Sequence, residues 1–242
     1  LAHNLFRADN MMISYTSAKE CLNGMEELVE GLKKAMFEDP VEDTRCVLHC
    51  EMKNEGFKTA SKVQYVARVG NFIDNGADYT GALQILKVIL SYDYLWQNIR
   101  VKGGAYGCMS GFSRTGEGYF VSYRDPNLER TMEVYEGIAD YLRNFTVSDR
   151  DMNKYIIGTM SNIDQPMTPS AKGDRSFNLY MNKVSAETIK KERLQILEAG
   201  QEDIRKLADV VESVMKAEQV CVIGSEEKIE EAKDMFKNVT TF

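Results

Sequence analysis

A glycine pair, Gly103-Gly104, ends what would otherwise be one long amphipathic helix, and it fixes the order of the elements around it. The helix is expected from near Thr80 to Arg100, with Leu83, Leu86, Ile89 and Leu90 recurring on its inward face. Two adjacent glycines take positive φ at little cost and stop such a helix after Trp96, Ile99 and Arg100. Two strand-like runs follow, Ala105 to Ser113 and Gly118 to Arg124, separated by Arg114-Thr115-Gly116-Glu117. Gly116 suits the positive-φ position of a hairpin turn, so the runs should pair antiparallel. Alternation puts Tyr106, Cys108 and Ser110 on one face and Gly107 and Met109 on the other. The same rule sends Tyr123 and Arg124 to opposite faces. Trp96 reads as a core anchor.

The chain opens with a β-prone run, Met11 to Ser17. Ser17-Ala-Lys-Glu20 then has the form of a capping box, opening a helix to about Phe37 with Leu22, Met25, Leu28, Val29 and Leu32 on one stripe. Val220 to Ser225 followed by Glu226 to Phe236 repeats that strand-then-helix pattern at the other end. Between them, strands are expected over Thr44 to Met52 and Ser61 to Val69. Asp125-Pro126 reads as cap and first position of a helix through Met132, Tyr135, Ile138 and Leu142. Ser148 and Thr168-Pro169 open further helices, and Ser185 to Ala217 is largely helical with a break near Gly200. This order predicts an α+β fold, a mainly antiparallel sheet with helices packed on one face. Asp39-Pro40-Val41-Glu42-Asp43 reads as a polar boundary.

The formal net charge of −7 argues against a nucleic-acid or anionic-membrane surface. No apolar run approaches the roughly 20 residues of a membrane span, and no signal or transit peptide is visible. Leu1 in place of Met suggests a piece of a longer polypeptide. Five scattered cysteines, Cys21, Cys46, Cys50, Cys108 and Cys221, favour free thiols in a reducing, cytoplasmic setting over a disulfide framework. Cys46-x3-Cys50 with His49 between them invites a metal reading, but no second ligand pair follows, and an alternating strand accounts for Cys46, Leu48 and Cys50 on one face.

The run Ile99-Arg-Val-Lys-Gly-Gly-Ala-Tyr-Gly107, then Ser122-Tyr-Arg-Asp-Pro-Asn127, resembles the C-terminal half of the insulinase/pitrilysin zinc peptidases, nearest to the branch of the presequence protease and falcilysin. The likeness continues through Ile156-Ile-Gly-Thr159 and Ser161-Asn-Ile-Asp-Gln-Pro166 to the end. It implies that residues 1–40 close an upstream domain and that 41–242 form the C-terminal, non-zinc domain. It implies further that Arg100 and Tyr106 are catalytic, reaching across a closed chamber to a peptide bound at a zinc in the other half. Gly103, Gly104 and Ala105 would form the loop lying against that substrate. The N-terminal zinc-bearing half is thus the implied partner and a peptide the implied substrate. A second copy of the fragment would be a homodimer partner through the strand edge or chamber face left open. At most one of Tyr123 and Arg124 should face the chamber.

The chain alone is not expected to hydrolyse anything. Its two histidines, His3 and His49, lack the spacing that puts two imidazoles on one helix face, and no Gly-x-Ser-x-Gly elbow occurs; no cofactor is expected in the fragment, and zinc only in the parent. What the pair can do is help. Negative charge grows on a peptide carbonyl under attack, and a preorganised donor there is worth about 3–4 kcal/mol in other enzymes. A phenol is a neutral donor near pH 7, and a guanidinium offers a fixed fork for a carbonyl or carboxylate. Blander readings remain open. Arg100 would satisfy the last carbonyls of its helix, Tyr106 would be an ordinary strand aromatic, and the whole would be a non-catalytic scaffold homologue.

Overall fold

The computed structural model describes residues 2–40, 47 and 54–242. In chain order its elements are α1 (Ala2–Leu5), α2 (Met25–Lys34), β1 (Glu55–Thr59), β2 (Gln64–Asn71), α3 (Ala82–Ile89), β3 (Gly107–Phe112), β4 (Glu117–Asp125), α4 (Glu129–Glu136), α5 (Ile138–Arg143), α6 (Asp149–Ile163), α7 (Pro169–Met181), α8 (Ala186–Leu197), α9 (Gln201–Lys216), β5 (Gln219–Ser225), α10 (Glu226–Glu231) and β6 (Asn238–Thr241). They fall into two units, Leu1–Cys50 with Gln165–Ala186, and Glu51–Asp164 with Glu187–Phe242. The strand expected over Thr44 to Met52, the Cys46/His49/Cys50 cluster and Val41 to Asp43 of the polar boundary lie outside the described residues apart from Val47.

In the first unit, His3 stacks on Phe37 at 3.8 Å between ring centroids, and Phe37 N–H donates to the Phe6 carbonyl at 3.0 Å. The β-prone run Met11 to Ser17 is not a strand: a strand needs a partner for its backbone groups, and among the described residues of this unit the pairing found is the isolated bridge Arg7–Phe37. Nor does the capping box form. The Ser17 hydroxyl bonds to the Ala18 carbonyl, a 3-10 turn takes Lys19–Leu22, and α2 starts after Gly24 at φ 85°. The apolar stripe on α2 is largely exposed, Leu28 to 69%.

The second unit holds the core. Among the described residues its sheet has six strands, in the order β3-β4-β2-β5-β1-β6. The β3–β4, β4–β2 and β2–β5 pairings are antiparallel, while β5–β1 and β1–β6 are parallel. The sheet is therefore mixed, antiparallel in three of its five pairings rather than throughout. The cause lies at the chain's end, where β5, α10 and β6 form a strand-helix-strand crossover that straddles β1. Parallel neighbours require a crossover of this kind. The sequence reading had the strand and the helix but neither β6 nor β1, whose Gly, Lys and Glu content carries little strand signal.

Helices do cover one face. The row Gly56–Val222–Val66–Ser122–Cys108 runs across five strands on the covered side. A Cβ on Gly70 would lie 2.4 Å from the Val214 carbonyl of α9, and one on Gly56 would lie 3.0 Å from the Ile229 methyl of α10. Leu83, Leu86, Ile89 and Leu90 are fully buried, as are Tyr135, Ile138 and Leu142. On β2 the polar residues Gln64 and Arg68 flank Val66 on the covered side, while Tyr65 is exposed. Arg68 reaches through to donate to the Met215 carbonyl at 2.7 Å, so its stem packs in the core and its head caps the end of α9. The uncovered side carries Met109, Val121, Ala67 and Cys221 in one row, and Tyr123 and Ile223 in the next.

Ser148 and Thr168 cap α6 and α7 as expected, each accepting from the backbone N–H three residues on. Asp125 does not cap a helix at Pro126. It ends β4, and α4 begins only at Glu129. Gly70→Ala tests the tightest helix-on-sheet contact. With a backbone carbonyl 2.4 Å from the new methyl, stability should fall by about 1–3 kcal/mol or more, read as a lower urea midpoint with an unchanged slope.

Candidate functional site

After Ile89 the helix of α3 continues without a break but widens, with π-helical turns at Leu90–Tyr94 and Trp96–Val101. Such turns are rare, and they concentrate at functional sites. Three contacts hold this stretch. The Tyr155 hydroxyl donates to the Asp93 carboxylate, the Tyr94 hydroxyl donates to the Val134 carbonyl at 3.0 Å, and Asn98 Nδ2 donates to the Tyr94 carbonyl at 2.8 Å. The helix then closes at the glycine pair. Gly104, at φ 80°, donates its N–H to the Arg100 carbonyl at 3.1 Å, and Ala105 donates to the Ile99 carbonyl at 3.1 Å. This is a Schellman-like stop one residue wider than the α-helical form, as a π-helical last turn requires.

Arg100 folds back over that stop. Its Nη1 donates to the Ala105 carbonyl at 2.8 Å, which satisfies a buried acceptor just beyond the helix. Its Nε and Nη2 have no hydrogen bond among the described residues. The guanidinium carbon lies 5.8 Å from the Trp96 ring centroid and 5.4 Å from that of Tyr106. Trp96 is thus no core anchor; at 43% exposed it forms an outer wall for Arg100. Ala105 is fully buried, with N–H and carbonyl both engaged inside the corner. The Gly103 carbonyl accepts from Asn127 Nδ2 at 2.6 Å, and a Cβ on Gly103 would collide with the Ile99 carbonyl at 2.5 Å.

Tyr106 does not follow Ser110 inward. It precedes β3 and is 57% exposed. Its N–H donates to the Arg124 carbonyl at 3.2 Å, and its hydroxyl bonds to nothing among the described residues. Its ring is walled on several sides: Arg100 at 5.4 Å, Arg124 at 5.6 Å, and Tyr123 edge-on at 5.5 Å. Cation–π contacts of this kind are worth about 0.5–1 kcal/mol each at exposed sites.

Strand alternation would have parted Tyr123 and Arg124, yet both reach the Tyr106 ring. A β-bulge makes the difference. Gln64 pairs with Asp125 and Val66 with Ser122, so Tyr123 and Arg124 stand together opposite Tyr65 alone. Arg124 takes φ 48°, a left-handed conformation that a bulge ordinarily gives to glycine. No signal in SYRDPN announces a bulge, because its non-glycine residue hides the usual marker. Gly107 is required on the paired strand, since a Cβ there would lie 2.4 Å from the Tyr123 ring.

Asp125 anchors the corner from below. Fully buried, it accepts from Asn127 N–H at 2.9 Å and from the Thr131 hydroxyl at 2.7 Å. Burial pushes the nearby Cys108 thiol up to about 11; Asp125 adds to the rise and Arg100 opposes it. Among the described residues no group of three or more His, Cys, Asp or Glu side chains is placed to hold a metal, and His3 faces Asp39 at the surface. The corner's own donors, a phenol and a guanidinium, do not fit zinc. What the corner can do is present one unpartnered phenol hydroxyl and free guanidinium donors to a ligand.

Residues 54–227 match the family described as the PreP C-terminal domain. Protein HypA of Clostridium perfringens is 43% identical over 97% of the chain, which covers 24% of that protein. Presequence protease 1, chloroplastic/mitochondrial, of Arabidopsis thaliana is 29% identical over 98% of the chain and 22% of its own length. The chain thus spans about a quarter of these relatives. Among solved structures, pitrilysin superposes with a TM-score of 0.60 at 13% identity, over 93% of this chain and 25% of that one. A peptidase M16 inactive domain from Pseudomonas fluorescens superposes with 0.54 at 14%, over 82% and 49%. These two likenesses concern the fold. No helix among the described residues is long and apolar enough to cross a membrane.

Two measurements check the corner. Gly107→Ala should push the Tyr123 ring off its strand and so loosen Tyr106, seen as a change in tyrosine near-ultraviolet dichroism with the far-ultraviolet spectrum kept. At pH 8 the Cys108 thiol, with its raised pKa, stays protonated, so mass mapping after brief iodoacetamide treatment should find exposed Cys21 labelled well before Cys108.

Proposed function

The chain belongs to the family of PreP C-terminal domains, and from that premise we propose that it is the substrate-binding, transition-state-stabilising part of a zinc-dependent oligopeptidase acting on unstructured peptides in a closed chamber. The observation that carries the reading is the Tyr106 hydroxyl, exposed and without a partner among the described residues while its ring is fixed by Arg100, Tyr123 and Arg124. A donor held this way needs no reorganisation when charge develops on a carbonyl oxygen.

Each residue has a distinct part. Tyr106 donates to the scissile carbonyl or its neighbour. Arg100 spends one nitrogen on the Ala105 carbonyl, which locks the loop, and offers the rest of its fork to the peptide backbone. Gly103 and Gly104 keep the loop thin enough for close approach, and Gly104 alone is exposed of the two. Ala105 acts through its buried position, holding the loop against the core. The metal is assigned to an N-terminal half of the same polypeptide, and the compartment is the reducing cytoplasm that free thiols suit.

In the full-length polypeptide, Tyr106→Phe should lower turnover of a short unstructured peptide by about 10²–10³-fold, the range for loss of one such donor, with bound metal unchanged. An unaltered rate removes the role and leaves a non-catalytic scaffold as the better reading.

A further inference from the structure

Tyr106 is flanked by two guanidinium groups, and among the described residues the second has no hydrogen-bonding task. Arg100 holds the Ala105 carbonyl. Arg124 is exposed, and its side chain makes no hydrogen bond or ion pair among the described residues, only the 5.6 Å contact with the Tyr106 ring. The adjacent acid offers it nothing, because Asp125 is buried and has one oxygen on Asn127 and the other on Thr131. In a chain of net charge −7, two cations thus share one phenol without a carboxylate to balance the second.

The backbone makes the choice of residue more telling. Among the described residues, three that are not glycine have positive φ: Arg124, Lys183 and Glu218. Lys183 and Glu218 each follow the last residue capping a helix, α7 and α9, where a left-handed stop is ordinary. Arg124 alone lies within a strand. Glycine would fill this bulge without strain, and asparagine nearly so. An arginine here accepts an unfavourable backbone and gains a guanidinium beside the phenol, in keeping with the way strained residues gather at ligand sites.

We propose that Arg124 is a specificity-determining residue that, resting on the function proposed above, binds a carboxylate of the peptide substrate beside Tyr106. A guanidinium matches a carboxylate with two parallel N–H···O bonds. The carboxylate comes either from the peptide C-terminus or from an acidic side chain.

The test uses the full-length polypeptide and two matched pairs of short peptides, one pair differing as C-terminal acid and amide, the other as internal Glu and Gln. The readout is the ratio of kcat/KM within each pair, which a general loosening of the Tyr106 packing does not move. The unaltered protein should favour the acid in one pair, and Arg124→Gly should shrink that preference by about tenfold to a hundredfold, the size of a lost charge-assisted hydrogen bond. The pair that responds identifies the source of the carboxylate. Arg124→Gly should also melt no lower than the parent, since it relieves the positive φ; Arg124→Asn repeats the comparison if the glycine variant is poorly folded. Ratios unchanged in both pairs, with Tyr106→Phe still impairing turnover, overturn the inference alone. A Tyr106→Phe variant of undiminished turnover overturns the function on which it rests.

Discussion

The hydrogen bond from Arg100 Nη1 to the Ala105 carbonyl is the joint on which the rest of this site depends. A helix that ends inside a protein leaves carbonyls without partners, and the chain leaving it must turn sharply to become a strand. Here both needs meet in one corner. Gly104 supplies the positive φ, Ala105 N–H returns to Ile99, and the arginine closes the last buried acceptor. The side chain that closes the corner also fixes one wall of Tyr106. Structural and functional readings of Arg100 therefore do not compete, since one nitrogen serves the fold and the others stay free.

The width of the helix matters to the same end. A π-helical turn rotates everything after it relative to an α-helix of the same sequence, so Leu90–Tyr94 and Trp96–Val101 set the direction in which Arg100 leaves the helix. Such turns hold only where side chains secure them. Tyr155 on Asp93 and Tyr94 on Val134 do so, and Gly137 makes room, since a Cβ there would lie 2.6 Å from the Tyr94 hydroxyl. Burial and the Asp93 carboxylate both raise the Tyr155 phenol above its ordinary range, so it stays a donor to Asp93 at any physiological pH. The helix bundle behind the sheet thus aims a residue at its edge.

On the strand side, the bulge at Tyr123-Arg124 plays the matching part. Without it, a strict two-residue period would separate these side chains. With it, an aromatic and a guanidinium gather on one phenol, and the β3–β4 hairpin contributes as much to the site as the helix does.

Local chemistry alone determined a good deal. The glycine stop, the Gly116 turn, the Ser148 and Thr168 caps and the buried stripe Leu83, Leu86, Ile89 and Leu90 rest on φ preferences, cap hydrogen bonds and helical period, all set by neighbours in the chain. So the Arg-x5-Tyr corner was legible. Tertiary structure decided what depends on distant partners. β1 and β6 exist because β5 and each other's edges supply their hydrogen bonds, and the crossover of α10 makes those pairs parallel. Met11 to Ser17, with as good a strand composition, has no such partner among the described residues and stays irregular. Likewise Arg124 took its left-handed place from the register of β2 against β4, and Trp96 was turned outward by the π-helical twist. Residue preferences act over a few positions, whereas register and exposure are settled by what packs opposite.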